Sequence, residues 1–125
     1  MPSIAVIGAS NDRTKFGNKC VRAYLQVGYD VYPVHPRETT VEGQACFSSI
    51  ENVPTERLDR VSVYLPPSVG VKVMEQIATK TVGEVWLNPG ADGPEVVARG
   101  LELGLNVVAA CSIVDVGISP SELPE

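Results

Sequence analysis

Gly8-Ala9-Ser10, reached at the end of the apolar run Ile4 to Ile7, opens the stretch of this chain best suited to chemistry, Asn11-Asp12-Arg13-Thr14-Lys15-Phe16-Gly17-Asn18. Small residues let backbone N–H groups approach an anion closely, and a helix beginning just beyond them points its positive end at the same spot. Arg13 and Lys15 add two cations. The chemistry implied is capture of a phosphate-bearing, nucleotide-like ligand. The stretch departs from the dinucleotide fingerprint G-x-G-x-x-G, because Ser10 stands where its second glycine belongs and Gly17 arrives late.

Two further segments share that chemistry. Val34-His35-Pro36-Arg37 closes a second apolar run, where a dinucleotide site usually carries Asp or Glu to bind the ribose hydroxyls. Here a carboxylate is missing and a guanidinium is near, so a phosphorylated ribose fits better than a bare diol. NADP and coenzyme A both carry one. Leu65-Pro66-Pro67 closes a third run. His35 is the one histidine, and with no serine or cysteine at a recognisable partner spacing it reads as a turn residue. Cys20 and Cys46 read as packing residues, while Cys111 follows the last strand on the rim that would bear a ligand. Three scattered cysteines and one histidine oppose a disulfide framework or a zinc site.

The elements that must hold these residues alternate. Ile4–Ile7 reads as a strand buried on both faces. Gly17 to Val27 has helical spacing at Val21, Tyr24 and Leu25, with Gly28 placed to end it. Tyr29 to Val34 predicts a second strand, Gln44 to Phe47 a weak third, and Ser48 to Asn52 a single helical turn opened by a serine cap. Val61 to Leu65 is a fourth strand. After it Ser68 offers an N-cap for a helix with Val69, Val73, Met74, Ile77 and Ala78 on its apolar face, ending near Gly83. Glu84 to Leu87 is a fifth strand, Asp92 with Glu95 a capping-box pattern, and Val97 and Leu101 are expected to face inward. Val107 to Ala110 is the last strand, and the tail from Ile118 is expected to be loose. Strands joined by helical crossovers predict an α/β fold: a single doubly wound, Rossmann-like domain, its sheet mostly parallel with helices on both faces and strand order 3-2-1-4-5-6. Ligands on such sheets lie beyond the carboxyl ends of the strands, where the order reverses between the first and fourth.

At 125 residues the chain fits one core. No apolar run approaches the roughly 20 residues that span a bilayer, and Met1-Pro2-Ser3 lacks signal-peptide features, so the expected address is the cytoplasm with no membrane contact. A net charge of −5 argues against nucleic acid as a partner. An anionic small molecule must then be captured by local groups.

Gly8-Ala9-Ser10 with the Lys15-Phe16-Gly17-Asn18 turn, Tyr32-Pro33-Val34-x-Pro36-Arg37, the Pro66-Pro67 pair and Val85-Trp86-Leu87 together resemble the small bacterial and archaeal CoA-binding proteins. These are similar to a freestanding form of the CoA-binding domain that opens the succinyl-CoA synthetase α subunit. The resemblance runs from about Ile4 to about Cys111 and implies coenzyme A as the ligand, with residues 1–117 as the binding domain and 118–125 as the tail. It places the CoA phosphates on Gly8, Ala9, Ser10, Lys15, Phe16 and Gly17, the nucleotide end on Pro36 and Arg37, and the adenine or pantetheine path on Leu65, Pro66 and Pro67; the loops themselves add Arg13 and Val34 as candidate binding residues. The chain departs from the family's usual pattern at His35, commonly Asn, at Asn88-Pro89-Gly90, often Gln-Leu-Gly, and at Ala109-Ala110. No set of base, nucleophile and oxyanion donors is recognisable, so the expected function is binding of CoA or an acyl-CoA without catalysis of its own, any chemistry coming from a protein partner. The alternatives are an NADP-binding reductase-like domain and an interaction domain that has lost its ligand.

Overall fold

A computed structural model describes all residues, 1–125. Five parallel strands form the sheet: β1 (Ser3–Ile7), β2 (Asp30–Val34), β5 (Arg57–Val63), β6 (Thr81–Leu87) and β7 (Val107–Val108), in the order β2-β1-β5-β6-β7. Ile7 is aligned with Val34 on one side and Val63 on the other, so the three loops singled out above leave the sheet at one level. Side chains alternate across it. Ala5, Ile7, Val61, Val63, Val85 and Leu87 pack under α2 (Pro67–Ile77) and α3 (Pro94–Glu102), whereas Ile4 and Val6 pack under α1 (Phe16–Gln26) and α4 (Ser112–Asp115). The doubly wound, Rossmann-like reading is thus the observed fold.

The third strand is where the expected order changes. Thr40–Val41 (β3) and Gln44–Ala45 (β4) form a separate antiparallel hairpin, and Phe47 alone makes a parallel bridge to Val34 beside β2. A strand there has little to pair with, because Pro33 offers β2's outer edge a carbonyl but no N–H. The turn after it is a 3-10 segment, Ile50–Asn52, closed by the backbone bond from Asn52 N–H to the Ser49 carbonyl rather than by a serine side chain.

Several helix ends differ from expectation. Pro67, not a residue capped by Ser68, begins α2, its fixed φ and missing N–H suiting the first helical position. That helix stops at Ile77; Gly83 lies inside β6, where a Cβ would meet the Asp59 carbonyl oxygen at 2.5 Å. Asp92 accepts from the Gly90 N–H at 3.2 Å, and Gly93 precedes α3 without a side-chain cap. Val96 and Gly100 are the residues α3 buries, Val97 is half-buried and Leu101 is exposed, a rotation of the buried face that lets Gly100 sit against Val107. The last strand stops at Val108, leaving Ala109 and Ala110 exposed. The C-terminal segment is not loose: Leu123 is buried beside α1, and the Arg22 guanidinium donates to the Pro124 carbonyl.

Candidate functional site

β1 ends in Gly8, whose φ of +88° turns the chain sharply; a Cβ there would meet the Tyr64 carbonyl oxygen at 2.5 Å. The Gly8 and Ala9 N–H groups both donate to the Val34 carbonyl, at 3.1 and 3.3 Å. They fasten the turn to β2 and are not available to an anion, which corrects the expectation drawn from their size. Among the following backbone N–H groups, those of Ser10, Asn11, Arg13, Phe16 and Gly17 have no partner within the protein. The last two belong to the first turn of α1, where such donors are left over by construction. Gly17 is needed for packing: a Cβ would lie 2.0 Å from the Gly8 carbonyl oxygen, so no other residue lets α1 approach this turn.

The loop between is rigidly tied. Asp12 accepts from the Thr14 hydroxyl at 2.7 Å and its N–H at 3.0 Å, bonds that hold its carboxyl below the usual range. Asn11 donates to the Glu38 carboxylate at 2.6 Å and to the Thr40 carbonyl at 2.9 Å. Glu42, at φ +49° in the tip of the β3–β4 hairpin, takes the Arg13 guanidinium at 2.8 Å and the Asn18 amide at 3.1 Å. Arg13 is therefore paired with the hairpin.

Above the carboxyl ends of β1 and β2 lies a cleft of about 500 Å³. Gly8, Ala9, Ser10, Lys15, Val34, Pro36 and Leu65 line it, as do residues the sequence reading did not single out for the site: Ile7, Ser48, Ser49, Ile50, Tyr64, Val69, Val73 and Gln76. The signal for Val69 and Val73 was present as i, i+4 spacing on the helix beyond Pro66-Pro67. The wall at Ser48–Ile50 had none, since the chain reaches it through the irregular segment after β4. His35 also lines the cleft. Its Nδ1 accepts from the backbone N–H groups of Arg37 at 3.0 Å and Glu38 at 3.1 Å, which is what an Asn side chain does in such a turn and leaves the ring proton on Nε2.

Other expected site residues lie outside this cleft. Pro66 and Pro67 line a second one of about 330 Å³ with Pro89, Gly90 and Ala91, and Tyr64 and Leu65 form the ridge shared by both. Arg37 is exposed, next to Pro36, and in no ion pair. Phe16 is exposed with the Lys19 ammonium 5.6 Å from its ring centre. Cys111 is half-buried against the α1 side and lines neither cleft.

Behind the ridge is a closed polar network. The Ser62 and Ser112 hydroxyls lie 2.7 Å apart, Asn88 donates to Ser62 at 2.8 Å, and the Ser112 N–H donates to Asn88 at 2.9 Å. Cys20 sits among them, its thiol pushed up by burial and so protonated and inert. Burial likewise drives the Tyr64 phenol well above the ordinary tyrosine range. No buried side-chain polar atom lacks a partner, and no group of three His, Cys, Asp or Glu is gathered to hold a metal ion.

The fold is that of a Rossmann-like domain with a cleft beyond the carboxyl ends of its first two strands. Residues 2–117 match the family model described as CoA binding domain, and the chain belongs to that family. It is 39% identical over 89 residues to the α subunit of an ADP-forming acetate–CoA ligase II of Pyrococcus furiosus, and 30% identical over 107 residues to an ADP-forming acetate–CoA ligase I of Archaeoglobus fulgidus. Those matches take in 70% and 85% of this chain but 19% and 16% of the relatives. A conserved hypothetical protein of Pyrococcus furiosus superposes with a TM-score of 0.82 at 28% identity, covering 92% of this chain and 99% of that one. A Thermus thermophilus protein does so at 0.81 and 31%, covering 91% and 87%.

Proposed function

We propose that this domain binds coenzyme A or an acyl-CoA, with the nucleotide in the larger cleft, the diphosphate at the Ser10–Gly17 turn, and the pantetheine arm crossing the Tyr64–Leu65 ridge into the smaller cleft. The observation that carries this is the set of unpartnered N–H groups of Ser10, Asn11, Arg13, Phe16 and Gly17 in a loop from which Ser10 and Lys15 line the cleft. Backbone donors at a helix start, with one cation, suit a diphosphate on a molecule whose net charge is −5. Arg37, exposed, in no ion pair and next to the cleft-lining Pro36, is assigned to the ribose 3′-phosphate. Membership of the CoA binding domain family supports the same ligand.

Chemistry on the thioester is assigned to a protein partner. Neither cleft gathers a nucleophile with a base beside it, and the one imidazole has its Nδ1 engaged by two backbone donors. Melting curves with CoA, dephospho-CoA, NADP and no ligand test the reading. CoA at about a hundredfold excess over its Kd stabilises by about 2.7 kcal/mol, several degrees for a domain of this size. NADP shifting the curve as far as CoA, or no shift with millimolar CoA, overturns it.

A further inference from the structure

Polar side chains reach the larger cleft from the phosphate turn, from His35, Ser48 and Ser49, and from Gln76 near the end of α2. At one end are the phosphate turn and Lys15. From there the cleft follows α2 through Val69 and Val73 to Gln76, two turns of helix or roughly 10 Å. Val34 and Ile50 line it as well. Branched aliphatic side chains along a slot of this length suit a flat aromatic ring, and the far end supplies what a ring edge needs. The Gln76 carboxamide and the Ser49 hydroxyl make no hydrogen bond within the protein, and since no buried polar atom is unpaired, both are open to the cleft.

We infer that Gln76 is the side chain that reads the base. Adenine presents an amino donor beside a ring-nitrogen acceptor on either of its edges, and a carboxamide presents the matching acceptor and donor in one plane. Gln76 holds the N6 amino group with its Oε1 and a ring nitrogen with its Nε2, fixing how deep the base enters and hence where the diphosphate meets the turn. This rests on the CoA-binding reading and adds the residue that selects the base.

The test is calorimetric titration with adenosine 3′,5′-bisphosphate and its 6-deamino counterpart, whose purine ring lacks the amino group but keeps both phosphates. The unmutated protein is expected to bind the adenine form roughly five- to fiftyfold more tightly. Gln76→Leu, of similar size, is expected to lower affinity for the adenine form by at least that factor and for the deamino form by less, since there only the bond to the ring nitrogen is lost, so that the preference collapses. Equal binding of the two ligands by the unmutated protein overturns the assignment without any variant. A Gln76→Leu protein that keeps the preference also overturns it and places base recognition elsewhere. If neither bisphosphate nor CoA binds the unmutated protein, this inference and the proposed function fall together; if CoA binds with no base preference, only this inference falls.

Discussion

Arg13 and Arg37 are equal as cations in the sequence and unequal in the structure. Arg13 is held by Glu42 at 2.8 Å, whereas Arg37 is exposed and unpaired next to Pro36, which lines the larger cleft. Arg37→Ala is therefore expected to remove most of the difference in affinity between CoA and dephospho-CoA, about tenfold for an exposed charge-assisted contact. Arg13→Ala should leave that difference intact, and calorimetry with the two ligands checks both. Gly17 carries a different expectation. A valine there drives a side chain into the Gly8 carbonyl at 2.0 Å, so Gly17→Val is expected to lose about 3 kcal/mol or more of stability before any effect on ligand can be read, visible as a lower denaturation midpoint. At this scale the places of Gly8, Ser10, Lys15 and Pro36 on the cleft were legible, because the residues of a turn declare themselves locally. Gln76 and Ser49 were not, since their relevance comes from two distant segments facing one slot.

At the scale of elements, β1, α1, β2, β5, α2 and β6 were legible from periodicity, while the pieces that hold the loop from Ser10 to Gly17 were not. The β3–β4 hairpin does so through Glu42 and through the Thr40 carbonyl that Asn11 reaches. The C-terminal segment does so through Arg22, which is buried on α1 and donates to the Asn18 side chain at 2.8 Å, to the Arg13 carbonyl at 3.0 Å and to the Pro124 carbonyl. A tail of serine, proline and glutamate reads as loose because its single buried anchor, Leu123, has no periodic neighbours to announce it. Arg22→Ala would leave the Asn18 carboxamide and the Arg13 and Pro124 carbonyls without this donor. It is expected to destabilise the protein by about 2 kcal/mol and to raise amide exchange in residues 10–15 more than in β5 or β6. Equal exchange in the loop of the two proteins would show that the tail and the turn are independent.

For the whole molecule, the two layers are tied on the α1 side by Tyr24, which lies fully buried between α1, β5 and α4. Its hydroxyl donates to the Ser112 carbonyl at 2.8 Å and accepts from Arg60 at 3.0 Å, and Arg60 in turn pairs with Asp115 at 2.7 Å and Glu84 at 3.1 Å. Burial pushes the Tyr24 phenol up to about 12, against a partial opposing pull from Arg60. The unfolded chain releases this proton near pH 10 and the folded one near 12, so between them the unfolded state binds fewer protons. Stability from this group is then fully present below pH 10 and is lost as pH rises through 12, by about 1 to 2 kcal/mol after allowance for solvent screening. Denaturation midpoints measured from pH 9 to 12 should fall steeply for the unmutated protein. Tyr24→Phe should start lower, having lost two hydrogen bonds, and fall less steeply, keeping the part of the slope that belongs to the raised Tyr64 and Cys20 groups. Parallel curves for the two proteins would show that Tyr24 titrates alike folded and unfolded, and that the alkaline limit of this fold is set elsewhere in its core.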